Sequence, residues 1–146
     1  MADKRRVKGV GGIFFQTDDP KKLREWYARH LGLETNDYGA TFKTRQWNNP
    51  DKSCYLQWST MSRDSDHFSQ TESPFMVNYR VDDLEWLVGE LKKEGVTICD
   101  EIEVYDYGKF VHILDPDGNK IELWEPVDKV FDQFHEDTNN KGLNIE

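Results

Sequence analysis

The chain repeats itself at a fixed offset. Asp19 and Asp83 lie 64 residues apart, Leu23 and Leu87 likewise, and Gly32 and Gly95 lie 63 apart. Each aspartate follows a strand-like run (VKGVGGIFFQ, residues 7–16; PFMVNYRV, residues 74–81) and stands where a helix would begin. An aspartate there accepts backbone N–H bonds that have no partner inside the helix, and Pro20 at the first helical position loses nothing. Each glycine stands where a left-handed residue ends a helix. Between them, Leu23, Trp26, Tyr27, His30 and Leu31, and then Leu84, Leu87, Val88 and Leu91, recur at helical spacing. Residues 33–60 hold three strand candidates, broken at Asn36-Asp37 and at Asn48-Asn49-Pro50-Asp51. Residues 61–73 are polar and unpatterned and read as a linker, residues 96–107 as one strand with a turn. The pattern predicts an α+β fold of two βαβββ modules, about 7–60 and 74–126, within one domain spanning 1–126. Residues 127–146 are expected to add a short helix on Val127, Val130, Phe131 and Phe134, then a flexible tail.

The second module ends in FVHILDPDGNKIELWEP, residues 110–126. Asp115, Pro116, Asp117 and Gly118 are turn formers between two apolar runs, so a hairpin turning at 115–119 sets Leu114 against Lys120, His112 against Glu122 and Phe110 against Trp124. Side chains alternate along a strand. Val111, Ile113, Ile121 and Leu123 therefore share a face that meets the core, while His112 and Glu122 share the other, which meets water, a ligand or a cavity. The glycine pair Gly11-Gly12 in the first strand marks a bend or a close approach.

Composition narrows the function. A formal charge of −9, with no basic cluster beyond Lys4, Arg5 and Arg6, argues against nucleic acid as a partner. MADKRRVKGVGG has no apolar segment of signal-peptide length, and no run approaches the ~20 apolar residues that cross a bilayer. Cys54 and Cys99 lack zinc-ligand spacing and read as buried thiols of a reducing compartment, so a soluble cytoplasmic protein is expected.

A doubled βαβββ unit ending in DPDGNKIELWEP, with WYARHLGL closing the first helix, resembles the vicinal oxygen chelate superfamily of glyoxalases, bleomycin-resistance proteins and extradiol dioxygenases. The resemblance spans roughly residues 7–126. It implies a curved eight-stranded sheet around a central cavity, and a homodimer. Metal-using members hold a divalent ion with one residue from the first and one from the last strand of each module; here the resemblance puts Gly12, Gln57, Met76 and Glu122 at those positions. Glycine supplies no side chain and methionine is too soft a ligand for the metals these enzymes use. The sequence departs from the metal pattern, and no metal or other cofactor is expected.

Strand alternation adds Phe14, Tyr55, Asn78, Arg80 and Trp124 to the inner face. Phe14, Tyr55 and Trp124 are read as an aromatic wall, and Gln57, Asn78, His112 and Glu122 as its polar group, with Arg80 beside them. Such a lining suits a small organic ligand. Burial penalises a carboxylate's charged form, and Arg80 or a protonated His112 would offset that, so Glu122 is read as an acid/base residue of a lyase or isomerase with His112 beside it. Two alternatives stay open: a non-catalytic, antibiotic-sequestering protein, and a metal-dependent lyase resembling glyoxalase I in which His112 serves as a substitute ligand.

Overall fold

The structure, a computed structural model, describes residues 6–47, 49–127 and 129. In chain order the elements are β1 (Val7–Thr17), α1 (Pro20–Leu31), β2 (Ala40–Gln46), β3 (Asn49–Ser62), a 3-10 turn (Asp66–Phe68), β4 (Phe75–Val81), α2 (Leu84–Lys93), β5 (Glu103–Tyr105), β6 (Gly108–Leu114) and β7 (Lys120–Pro126). The expected C-terminal helix and tail lie outside the described residues, Val127 and Lys129 apart. Among the described residues, no helix is long and apolar enough to cross a membrane.

Both helices begin and end on the residues the repeat marks. Asp19 accepts a bond from Lys22 N at 3.0 Å, Pro20 opens α1, and Gly32 closes it at φ 72°. Asp83 caps α2 through Trp86 N at 3.1 Å, and Gly95, one residue beyond the C-cap, has φ 81°. The helices differ in how they bury. Leu84, Leu87 and Val88 of α2 pack with Val81, Val111, Ile113 and Leu123 in the main core. No residue of α1 is fully buried: Tyr27 lies against Trp58 and Phe15, while Trp26 and Leu31 stay exposed. The apolar stripe of α1 is wider than the sheet beneath it can cover.

All strands join one open, curved sheet in the order β2-β3-β1-β4-β7-β6-β5. It has seven strands, not the expected eight. The first strand candidate after α1 shrinks to a single bridge, Asn36 to Gly39, because the Asn36 carboxamide oxygen accepts the backbone N–H groups of Tyr38 and Gly39 and folds the segment into a turn. Between β3 and β4 the chain is pinned to the sheet: Phe68 is buried against Phe14 and Met76, and the Lys120 ammonium donates to Asp66 O and Ser69 Oγ.

The hairpin has the register its alternation dictates: Leu114 pairs with Lys120, His112 with Glu122 and Phe110 with Trp124. Its turn is held by Asp115, whose carboxylate accepts the N–H groups of Asp117 and Asn119 and the Asn119 side-chain amide. Strand β1 carries two register shifts against β4, between Val7 and Gly9 and between Val10 and Gly12. A Cβ on Gly11 would come within 2.5 Å of Asn78 Oδ1 and 2.8 Å of Trp124 Cε3, so a hydrogen here is what lets β1 lie against those side chains. Gly11→Ala should therefore lose about 1–3 kcal/mol in urea unfolding. Gly9→Ala, where an added Cβ meets nothing within 4 Å, should stay within about 0.5 kcal/mol of the parent.

Candidate functional site

Register, more than sequence proximity, assembles the site. Strand β3 pairs parallel to β1 with Gln57 beside Gly12, β1 antiparallel to β4 with Gly12 opposite Asn78, β4 parallel to β7 with Asn78 beside Glu122, and β7 antiparallel to β6 with Glu122 opposite His112. Thr41 of β2 pairs with Gln57. One row of residues thus crosses six strands and carries most of the chain's candidate chemistry on the face opposite the helices. Met76 does not belong to it. It pairs with Phe14, one step along the sheet, and Asn78 takes the place beside Glu122.

Hydrogen bonds tie the row together. Glu122 Oε1 accepts from Asn78 Nδ2 at 2.6 Å, and Glu122 Oε2 lies 2.8 Å from His112 Nε2. The other ring nitrogen, Nδ1, lies 2.6 Å from Asp100 Oδ2, while Asp100 Oδ1 accepts the His112 backbone N–H at 2.8 Å. A neutral imidazole has one donor; only an imidazolium donates to both carboxylates. Burial opposes that charge, but the hydrogen bond and negative charge of Glu122, followed by those of Asp100, outweigh it and hold the His112 pKa above 6.5. Glu122 and Asn78 are buried at 4% and 2% exposure, whereas the Asp100 side chain keeps 35%. The chain of contacts therefore leads from solvent at Asp100 to a carboxylate inside the protein.

The remaining sequence-derived residues stand around this row. Thr41 Oγ1 donates to Gln57 Oε1 at 2.8 Å, which turns the amide's N–H groups the other way. Asn78 Oδ1 is buried and takes no hydrogen bond among the described residues. To one side, Phe14 packs with Met76 and Phe68. To the other, Phe110, Trp124 and Arg80 form a second row: the Phe110 and Trp124 rings stack at 5.7 Å and 7°, and the Arg80 guanidinium lies 5.3 Å from the Trp124 ring. Tyr55 is fully buried on β3. Phe14 and Trp124 thus flank the polar row from opposite sides and do not form one continuous wall. Tyr105 and Tyr107 stack on each other and meet Phe110 edge-on, extending the Trp124 row outward.

Sequence reasoning missed Asp100. It stands between Ile98, bridged to Ile113, and β5, where the Cys99 N–H bonds to His112 O at 2.8 Å. No motif or periodicity marks such a residue; only the pairing of its neighbours with β6 brings it to the ring. Cys99 is half-buried, and burial raises its pKa.

Few donor side chains stand at the four positions where a metal ion is expected by resemblance. Gly12 offers nothing, both ring nitrogens of His112 face carboxylates, and Glu122 is engaged through both oxygens. Among the described residues no group of three His, Cys, Asp or Glu side chains could hold a metal ion.

No curated protein matches this sequence. Solved structures do. Methylmalonyl-CoA epimerase from Mycobacterium tuberculosis is similar at 22% identity and TM-score 0.55, over 89% of this chain and 95% of that one. Streptomyces coelicolor methylmalonyl-CoA epimerase in complex with 2-nitronate-propionyl-CoA is similar at 15% identity and TM-score 0.60, over 83% and 99%. A glyoxalase/bleomycin resistance protein/dioxygenase superfamily member from Vibrio splendidus 12B01 gives 14% and 0.52, over 80% and 97%. At these identities the likeness speaks for the fold. The model of the Glyoxalase/Bleomycin resistance protein/Dioxygenase superfamily matches residues 9–123, and the chain belongs to that superfamily.

Proposed function

We propose that this chain binds a small carbonyl compound on the helix-free face of its sheet, in a cup formed by its two modules, and moves a proton on it without a metal ion, as an isomerase or lyase does. The observation that carries this reading is the His112 ring held between Asp100 and Glu122 at 2.6 and 2.8 Å. With the proton on the ring, Glu122 is a carboxylate and can take a proton from a C–H next to the carbonyl, the electron pair of that bond moving into an enolate. With that proton on it Glu122 is itself the acid, and it can return the same proton to a carbon of the enolate while the ring keeps its own. Asp100 keeps the ring oriented and links it to solvent. The N–H groups of Gln57, turned by Thr41, suit the carbonyl oxygen, and Asn78 Oδ1 suits a hydroxyl or N–H of the ligand. Two of the similar structures are epimerases, a class of reaction within this chemistry.

A second reading rests on the exposed, stacked rings of Tyr105 and Tyr107, which meet Phe110 edge-on: a surface that holds a flat organic molecule by its rings and leaves it unchanged, as an antibiotic-sequestering protein does. Deuterium exchange separates the two. For carbonyl ligands found by thermal shift, the wild type in D2O should exchange the hydrogen next to the carbonyl, followed by NMR. Glu122→Gln should slow that exchange by about 10²-fold or more while Kd changes little. Ligands that bind and never exchange would favour the sequestering reading.

The proton state of His112 has its own signature. A pKa raised on folding adds stability that is fully present below the unfolded value of 6.5 and is lost as pH rises through the folded value. The His112 ring should titrate above 6.5 by NMR, and Asp100→Asn should move that midpoint down. Urea unfolding of the wild type should weaken as pH rises through the midpoint, and the same variant should flatten that fall.

A further inference from the structure

The segment between β3 and β4 reads as a linker in the sequence, but it forms a wall beside the polar row. Phe14 stands two residues from Gly12, Met76 two from Asn78 and Lys120 two from Glu122, so by strand alternation all three share the face of that row. Phe68 packs on Phe14 and Met76. The Lys120 ammonium, on a residue 4% exposed, donates to Asp66 O at 3.1 Å and to Ser69 Oγ at 3.3 Å. Thr71 Oγ1 donates to Gly118 O at 3.0 Å and ties the segment to the hairpin turn. The 3-10 turn is thus fixed over the helix-free face, and His67, between these anchors, carries its ring to His112. The two ring centroids lie 5.8 Å apart with their planes at 88°. Ser65 Oγ accepts the His67 backbone N–H at 3.2 Å and lies 3.2 Å from Nδ1. The residue is exposed, and its Nε2 makes no hydrogen bond among the described residues.

We propose, building on the proton-transfer reading, that His67 is a second catalytic residue: the acid that protonates a leaving group, in the dehydration of a β-hydroxy carbonyl compound. The order of groups carries this assignment. Gln57, suited to the carbonyl oxygen, stands toward one end of the row, Glu122 stands further along, and His112 lies beyond it with His67 against its ring. A ligand lying along the row, with its carbonyl at Gln57 and the neighbouring C–H at Glu122, presents its next carbon to His67. Glu122 takes the proton, and the electron pair of the C–H bond forms a carbon–carbon double bond. The C–O bond of the hydroxyl-bearing carbon breaks, and its oxygen takes a proton from the His67 imidazolium and departs as water. Glu122 ends protonated and His67 neutral, and exchange with solvent restores both. Hydroxide is a poor leaving group, and a positioned acid accelerates such a step by about 10²–10⁴-fold. Histidine is the side chain that gives and takes a proton near neutral pH. The other imidazole is committed, because both nitrogens of His112 face carboxylates.

The aldol adduct of acetone and benzaldehyde tests the assignment, since its dehydration gives benzylideneacetone, which absorbs strongly in the ultraviolet. Deuterium exchange of the adduct's methylene hydrogens in D2O is followed alongside by NMR. The wild type should dehydrate the adduct. His67→Asn, changed at an exposed position, should slow dehydration by about 10²-fold or more while exchange keeps the wild-type rate. Imidazole added to His67→Ala should restore dehydration in part and leave exchange unaltered, whereas Glu122→Gln should lose both. Exchange without dehydration in the wild type, or undiminished dehydration in His67→Asn, would overturn the assignment and leave the proton-transfer reading standing. Equal loss of exchange and dehydration in His67→Asn would make His67 a positioning residue and overturn it too. An adduct that binds the wild type and neither exchanges nor dehydrates would overturn both.

Discussion

Parallel pairing of β4 with β7, in the register that sets Asn78 beside Glu122, is the constraint on which the rest of the site depends. Neither strand can shift by one residue. A slip in β7 would turn Ile121 and Leu123 away from α2 and drive Glu122 into the apolar cluster around Leu84, Leu87 and Val88. An unpaired carboxylate there would cost far more than the ladder bonds of any alternative register repay. The core on one face therefore fixes, with no interaction of its own, the polar row on the other. Gly11 makes the same point for β1: the strand can pass beside Asn78 and Trp124 only because its side chain is a hydrogen.

Burying Glu122, Asn78 and His112 together is costly unless each group finds a partner, and the cluster meets that condition nearly completely. The raised His112 pKa favours a protonated ring between the side chains of Glu122 and Asp100. Desolvation on its own would keep the ring neutral; two carboxylate contacts under 3 Å reverse the sign. Asn78 Oδ1, left over as an acceptor among the described residues, sits in the same row, and such a group is tolerated most readily where a ligand completes it.

Local rules were legible in the sequence and relations between distant strands were not. The helix caps at Asp19 and Asp83, the turn at Asp115 and the whole hairpin register follow from residues within a few positions of one another, where one side chain decides one backbone bond. That is why His112 and Glu122 could be paired in advance. Counting along the repeat points to Met76 where the structure has Asn78, because the count is blind to how β1 and β4 pair, and that ladder contains two register shifts. Asp100 was invisible for the same reason: its position is decided by Cys99 and Ile98 meeting β6. The missing eighth strand is a contest between two local preferences, in which the Asn36 side chain bonds the backbone that a strand would have used.

Strands β4 and β7 run side by side from the polar row to the open end of the sheet, where β1 no longer pairs with β3. Asn78 and Glu122 come first, Arg80 and Trp124 two residues on, and Asp82 and Pro126 another two, at that end. Four residues of strand at about 3.3 Å each span about 13 Å, so one pair of strands carries the buried polar row at one level and the open end of the sheet at another. The order of these surfaces along two paired strands is set by backbone alone.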